Sequence, residues 1–170
     1  FNSSVSVGVL VAALVSVPML YVKSSHPEIT WVFDLGVIFL FGFFSISLFY
    51  WVATKQFHQK PLHVFLRRFP GFLIVSMGLS LHNGLAVIEG LLGVKTPFIR
   101  TPKFNIHNKL DSWRSNVYIK PSLNILTILE GVLCLYFLFG IALGIHLHDG
   151  ILIVFHVLLA LGFGSVFYYS

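Results

Sequence analysis

The sequence is poor in charge and has almost no cysteine. Only 10% of its 170 residues are charged. A soluble globular domain carries about 25% charged residues, so this scarcity excludes that class of protein. Cys134 is the single cysteine, which excludes an internal disulfide and a metal site built from several cysteines.

Apolar residues take the place of the missing charges. They make up 56% of the chain, and the mean hydropathy is +0.88. These values are typical of an integral membrane protein. The net charge of +5 does not indicate a nucleic-acid partner, because the basic residues concentrate in two segments between apolar runs, as orientation signals do. The chain opens at Phe1 with an apolar run and no basic leader, and we interpret it as a piece of a longer protein.

Four long apolar stretches predict an all-α membrane protein with four transmembrane helices. Each is close to the roughly 20 residues that a helix needs to cross a bilayer. Trp31 lies at one end of the second stretch and Trp51 near the other, as in the aromatic belts of membrane proteins. The predicted spans are 4–22, 31–53, 123–144 and 150–168.

Between the second and third spans the sequence predicts cytoplasmic helices and a loop. The segment 61–69 has the apolar stripe of a helix that lies on a membrane surface. The segment 71–93 is long enough to cross but carries several polar residues. If it does not cross, ten of the eleven basic residues lie on one side, which the positive-inside rule favours. We therefore predict that 61–69 and 71–93 are interfacial helices and that 54–122 is cytoplasmic.

The segment 94–109 is the least apolar part of this region. It holds four cations and no acid, with two phenylalanines among them. Threonine precedes proline at 96–97 and at 101–102, and residues before proline avoid the helical conformation, so the segment should be extended. An extended basic loop with aromatic residues suits a polyanionic ligand. The alternative is a loop whose charges only orient the protein in the membrane.

Two further groups of polar residues could carry chemistry. Glu130 lies inside the third span, where an ionisable side chain is costly unless it faces protein or water, and it is a candidate site or a packing partner. We predict that it faces the helix bundle. His146, His148 and His156 do not show the spacing of a metal or haem site, and no metal ligand is predicted here. Serine, histidine and aspartate residues are too scattered for a nucleophilic triad, and no catalytic residue is predicted.

The stretch 76–106, SMGLSLHNGLAVIEGLLGVKTPFIRTPKFNI, resembles the membrane-embedded C-terminal region of family 2 glycosyltransferases, which include cellulose synthase and related bacterial polysaccharide synthases. In that family an interface helix leads into a gating loop with the pattern F-x-V-T-x-K. Phe98, Thr101 and Lys103 match this pattern, and Arg100 stands where the pattern has valine.

The resemblance implies that Phe98 lies against the donor base and that Thr101 and Lys103 approach its diphosphate, with Arg100 beside them. His82, Asn83, Glu89 and Glu130 are further candidate channel or supporting positions. It implies an inner-membrane, multi-pass part of an enzyme whose partners are a nucleotide-sugar donor, a glycan acceptor, the lipid bilayer and its own catalytic domain. That domain, with its divalent metal, has no counterpart in these residues, so the chain alone should not transfer sugar and carries no cofactor. The alternative is a non-enzymatic membrane subunit or small transporter whose basic loop binds a partner or anionic lipid.

Overall fold

The structure is a computed structural model that describes residues 4–26, 28, 31, 37–95 and 124–170. These residues are almost entirely helical, and no strand occurs among them. The helices are α1 (Ser4–Ser25), α2 (Val37–Phe57), α3 (Pro61–Gly78), α4 (Ser80–Leu91), α5 (Ile125–His146) and α6 (Gly150–Tyr169). The all-α class predicted from the apolar runs is therefore confirmed.

Three helices of the described part are long and apolar enough to cross a membrane, namely α1, α5 and α6. They correspond to the predicted spans 4–22, 123–144 and 150–168. A fourth span is reached if the bent pair α3–α4 counts as one. The predicted second span, 31–53, overlaps α2, which is not among these three, so the count of four spans remains a prediction.

The core of the molecule lies where α1, α4, α5 and α6 meet. Phe137, Leu159 and Phe163 are completely buried there, and Phe137 and Phe163 stack with their ring centroids 5.6 Å apart. Ala13 and Val17 close the core from α1, while Leu81 closes it from α4. A short helix of the polar middle region therefore packs inside the bundle.

The bent pair differs in detail from the predicted interfacial helices. We expected 61–69 and 71–93 to be separate, but α3 continues through Pro70 to Gly78, and the break of 45° falls at Leu79. Proline costs a helix one backbone hydrogen bond, and packing against neighbouring helices compensates for that loss. Here α3 packs on both α2 and α6, and α4 packs on α1.

Glycine makes the contact between α3 and α6 unusually close. A Cβ atom on Gly162 would lie 2.6 Å from the carbonyl oxygen of Ile74, and one on Gly78 would overlap the carbonyl oxygen of Gly162. The two backbones therefore touch directly, as small residues allow at helix interfaces in membranes. This contact fixes the bent pair against the bundle.

Aromatic side chains join α2 to α3. The rings of Trp51 and Phe65 lie 5.7 Å apart, and those of Tyr50 and Phe72 lie 4.4 Å apart. Phe69 is buried between the two helices, with its ring 5.8 Å from that of Tyr50. The predicted apolar stripe of 61–69 is thus divided, since Phe65 and Phe69 face α2 while Leu62 and Leu66 remain exposed.

Candidate functional site

The predicted donor-binding residues Phe98, Arg100, Thr101 and Lys103 lie outside the described residues. The structure does describe how the chain enters and leaves this segment. At the end of α4, Gly93 adopts a left-handed conformation with φ of 70°, and the amide of Val94 donates to the carbonyl oxygen of Glu89. These are the features of a Schellman cap, which ends the helix sharply. The described part of the chain resumes at Asn124, one residue before α5.

Glu130 of α5 is completely buried, which confirms the prediction that it faces the bundle. Its Oε1 atom lies 2.8 Å from Nδ1 of His82 in α4. The serine hydroxyl of Ser170, just beyond α6, lies 3.4 Å from Oε2 of the same carboxylate. The structure therefore brings together two predicted site residues, His82 and Glu130, that are far apart in sequence.

The His82–Glu130 contact is short but not well aligned. Neither Nδ1 of His82 nor Oε1 of Glu130 makes a hydrogen bond of good geometry with any atom in the described part of the chain. The two atoms are therefore in polar contact without a directed hydrogen bond. A buried carboxylate is costly without such a partner.

His82 connects the interior with the surface. Its side chain is 41% exposed, although Nδ1 is buried against Glu130. The exposed edge of the ring is therefore the one that carries Nε2. A carboxylate on one ring nitrogen orients the imidazole and leaves the other nitrogen free to bind or to exchange a proton.

Asn83 and Glu89 do not join this pair. Both are exposed, and their side chains form no hydrogen bond or ion pair with the residues that the structure describes. Of the four predicted channel or supporting positions, only His82 and Glu130 thus meet.

Sequence reasoning missed a second buried polar contact, between α1 and α6. Nε2 of His156 lies 2.8 Å from the hydroxyl oxygen of Ser16, and both residues are buried. The Ser16 hydroxyl donates to the carbonyl oxygen of Ala13 at 2.6 Å, so it accepts from His156, which places the ring proton on Nε2. A polar residue in the middle of each apolar helix was the available signal.

Two further histidines, His146 and His148, lie at the α5–α6 turn. His148 adopts a left-handed conformation with φ of 58°, and the amide of Asp149 donates to the carbonyl oxygen of Gly144. Asp149 accepts from the amide of Leu152 at the start of α6 and forms an ion pair with Lys23 of α1. Within 4–26, 37–95 and 124–170 no three His, Cys, Asp or Glu side chains cluster to hold a metal ion.

Comparison of the chain with protein-family models, with curated proteins and with solved structures finds no match.

Proposed function

We propose that this chain is the membrane and gating part of a family 2 glycosyltransferase that transfers sugar from a nucleotide-sugar donor to a growing glycan. The sequence pattern at Phe98, Thr101 and Lys103 supports the proposal. The observation that carries it is the His82–Glu130 contact, because it joins α4 and α5, the two helices that flank the basic segment. A loop anchored in this way at both ends can close over a ligand without disturbing the bundle.

The chemistry of the basic segment suits a nucleotide diphosphate. An ammonium group and a hydroxyl bind phosphate oxygens, and a phenyl ring stacks on a base. On this proposal Lys103 and Thr101 contact the diphosphate, with Arg100 beside them, and Phe98 contacts the base. The catalytic residues and the divalent metal belong to a separate catalytic domain, and the polymer leaves through a channel beside these helices.

The proposed arrangement places four spans in the inner membrane, with 54–122 on the cytoplasmic side. The charge distribution supports it, since ten basic residues then share the cytoplasm. The α3–α4 pair would enter the membrane from that side without crossing it. A bent span in place of the 31–53 span is the alternative, and it would put Lys55 and Lys60 on the side of Lys23.

Substitution in the complete protein tests the gating role. Lys103→Ala should lower the rate of sugar transfer by roughly one to two orders of magnitude, because each charge-assisted contact contributes about 1.5 to 3 kcal/mol. Thr101→Ala and Phe98→Ala should lower it as well. Lys95→Ala is the matched control, since it removes an exposed lysine of the same segment outside the motif. Wild-type rates in all three motif variants would overturn the proposal and favour a subunit or transporter whose loop binds a partner or lipid.

Cysteine labelling tests the arrangement in the membrane. Cysteines introduced singly at Ser24, Gln59 and Asn105, in a background with Cys134→Ser, are treated with an impermeant reagent on intact cells. We expect labelling at position 24 alone. Labelling at 24 and 59 but not at 105 would show that α3–α4 crosses as a bent span in place of 31–53. Equal labelling at 24 and 105 would contradict the four-span arrangement.

A further inference from the structure

The turn between α2 and α3 presents an exposed surface of mixed chemical character. Four cations and two leucines from the last turn of α2, this turn and the first half of α3 are exposed to the surroundings. We call this surface the basic corner, and its residues are Lys55, Lys60, Leu62, Leu66, Arg67 and Arg68. The leucines are 59% and 61% exposed, so they project from the corner together with the charges.

The cations of the basic corner have no acidic partner within the part of the chain that the structure describes. The contacts at ion-pair distance there are Lys23–Asp149 and His82–Glu130, and neither involves the corner. No carboxylate in the described part of the chain lies within ion-pair distance of its lysines or arginines. Exposed cations without an acidic partner are available to an anionic ligand, which would be attracted to them.

The exposure of the two leucines follows from how α3 packs. Phe65 and Phe69, on the same apolar stripe, stack at 4.9 Å and face the aromatic side chains of α2. These contacts fix the rotation of α3 about its own axis, so Leu62 and Leu66 cannot turn inward together with them. The corner therefore keeps its leucines and its cations on the outside.

We propose that the basic corner binds anionic phospholipid headgroups in the membrane that holds the neighbouring helices. Leucines that project beside cations match the boundary between headgroups and acyl chains, where apolar side chains enter the acyl region and lysine and arginine reach the phosphates. Each basic residue near an anionic surface contributes about 1 kcal/mol of attraction. An acidic protein surface would pair with the charges, but it would offer the leucines no acyl chains to enter.

Fluorescence quenching of Trp51 tests the proposal directly. The indole ring of Trp51 lies 5.7 Å from the phenyl ring of Phe65, so its fluorescence reports on lipids beside the corner. The chain with Trp31→Phe and Trp113→Phe is reconstituted in phosphatidylcholine vesicles that contain either brominated phosphatidylglycerol or brominated phosphatidylcholine at equal mole fraction. We expect roughly threefold or greater preference for the anionic lipid, falling at 0.5 M salt as charges are screened.

Paired variants identify the residues responsible. Lys60→Gln should weaken the preference, and the triple variant with Arg67→Gln and Arg68→Gln should abolish it, while quenching by brominated phosphatidylcholine stays constant. Lys95→Gln is the matched control, because it neutralises an exposed lysine beyond α4 and should leave the preference intact. Equal quenching by both lipids in the parent chain would overturn the proposal and favour a protein partner. A preference that survives the triple variant, or that Lys95→Gln also removes, would overturn it too.

Discussion

Two buried histidine contacts divide the molecule into regions of different character. Ser16–His156 lies between α1 and α6 and is enclosed on all sides, with His156 completely buried. His82–Glu130 lies between the bent pair and α5, with a buried carboxylate and a half-exposed ring. The first contact joins two helices that are long and apolar enough to span a membrane, and the second joins helices that flank the basic segment.

The difference concerns how the facing atoms meet and whether the contact reaches the surface. Ser16 both donates to Ala13 and accepts from His156, so its hydroxyl has two partners. The facing atoms of His82 and Glu130 are close but make no aligned hydrogen bond within the described residues. Nδ1 of His156 also lacks a partner among the described residues, so neither contact satisfies every buried polar atom. The two contacts differ in that His156 is enclosed, whereas the side chain of His82 is half-exposed and has room for a second arrangement. We infer that Ser16–His156 serves stability and that His82–Glu130 serves the loop.

The largest expected effect comes from disturbing the close glycine contact between α3 and α6. Gly162→Ala would force a methyl group against the carbonyl oxygen of Ile74, since the two lie 2.6 Å apart before any shift. We expect a loss of about 2 to 3 kcal/mol in stability, as overpacking typically costs, measured by unfolding in mixed detergent micelles. Gly71→Ala is the matched control, because no atom lies within 4 Å of a Cβ built on that glycine of α3. Equal stability of both variants would show that the α3–α6 contact is not tight.

Sequence reasoning predicts the apolar helices well because length and hydropathy determine whether a helix can span a bilayer. The same reasoning predicts that Glu130 faces the bundle, because a carboxylate in hydrocarbon is costly. It does not predict the partner. His82 lies 48 positions earlier in the chain, and only the packing of α4 brings it to Glu130.

The break at Leu79 was missed for a related reason. Proline at position 70 is a local signal that favours a helix end there, and packing on α2 and α6 overrides it. The Gly78–Gly162 contact that accompanies the break joins two glycines with no local mark of their proximity. Local patterns therefore predict the elements, whereas the site depends on contacts between distant elements.

The second prediction tests whether His82–Glu130 serves function more than stability. In the complete protein, Glu130→Gln should lower sugar transfer roughly tenfold, the effect of about 1.4 kcal/mol, because the amide no longer attracts the imidazole. Stability should not fall, since a neutral amide is easier to bury than a carboxylate. Glu89→Gln, which neutralises an exposed carboxylate of α4, should leave the rate unchanged. A large loss of stability with full activity in the folded fraction would instead show that the pair stabilises the fold and does not serve transfer.

The third prediction tests the opposite assignment for Ser16–His156. Ser16→Ala leaves the buried Nε2–H of His156 without an acceptor and should destabilise the protein by about 1 kcal/mol, with transfer unchanged. Ser165→Ala is the control, because that exposed hydroxyl bonds only within its own helix, to the carbonyl oxygen of Leu161. A fall in the transfer rate of Ser16→Ala without a fall in stability would remove the distinction between the two contacts.

The smallest expected effect concerns the two helix caps beside these regions. Gly93 ends α4 with φ of 70°, and His148 ends α5 with φ of 58°, in the same left-handed conformation. Glycine adopts that conformation without steric cost, whereas a residue with a Cβ atom is strained there. His148→Gly should therefore stabilise the protein by up to about 1 kcal/mol, and Gly93→Ala should destabilise it by a similar amount. Thermal unfolding of the two variants beside the parent chain measures both changes. No atom lies within 4 Å of a Cβ built on Gly93, so a loss there would report backbone conformation and not crowding. A neutral Gly93→Ala would show that α4 does not end in the left-handed cap. The proposed loop closure depends on that anchored entry to the basic segment, so this result would contradict it.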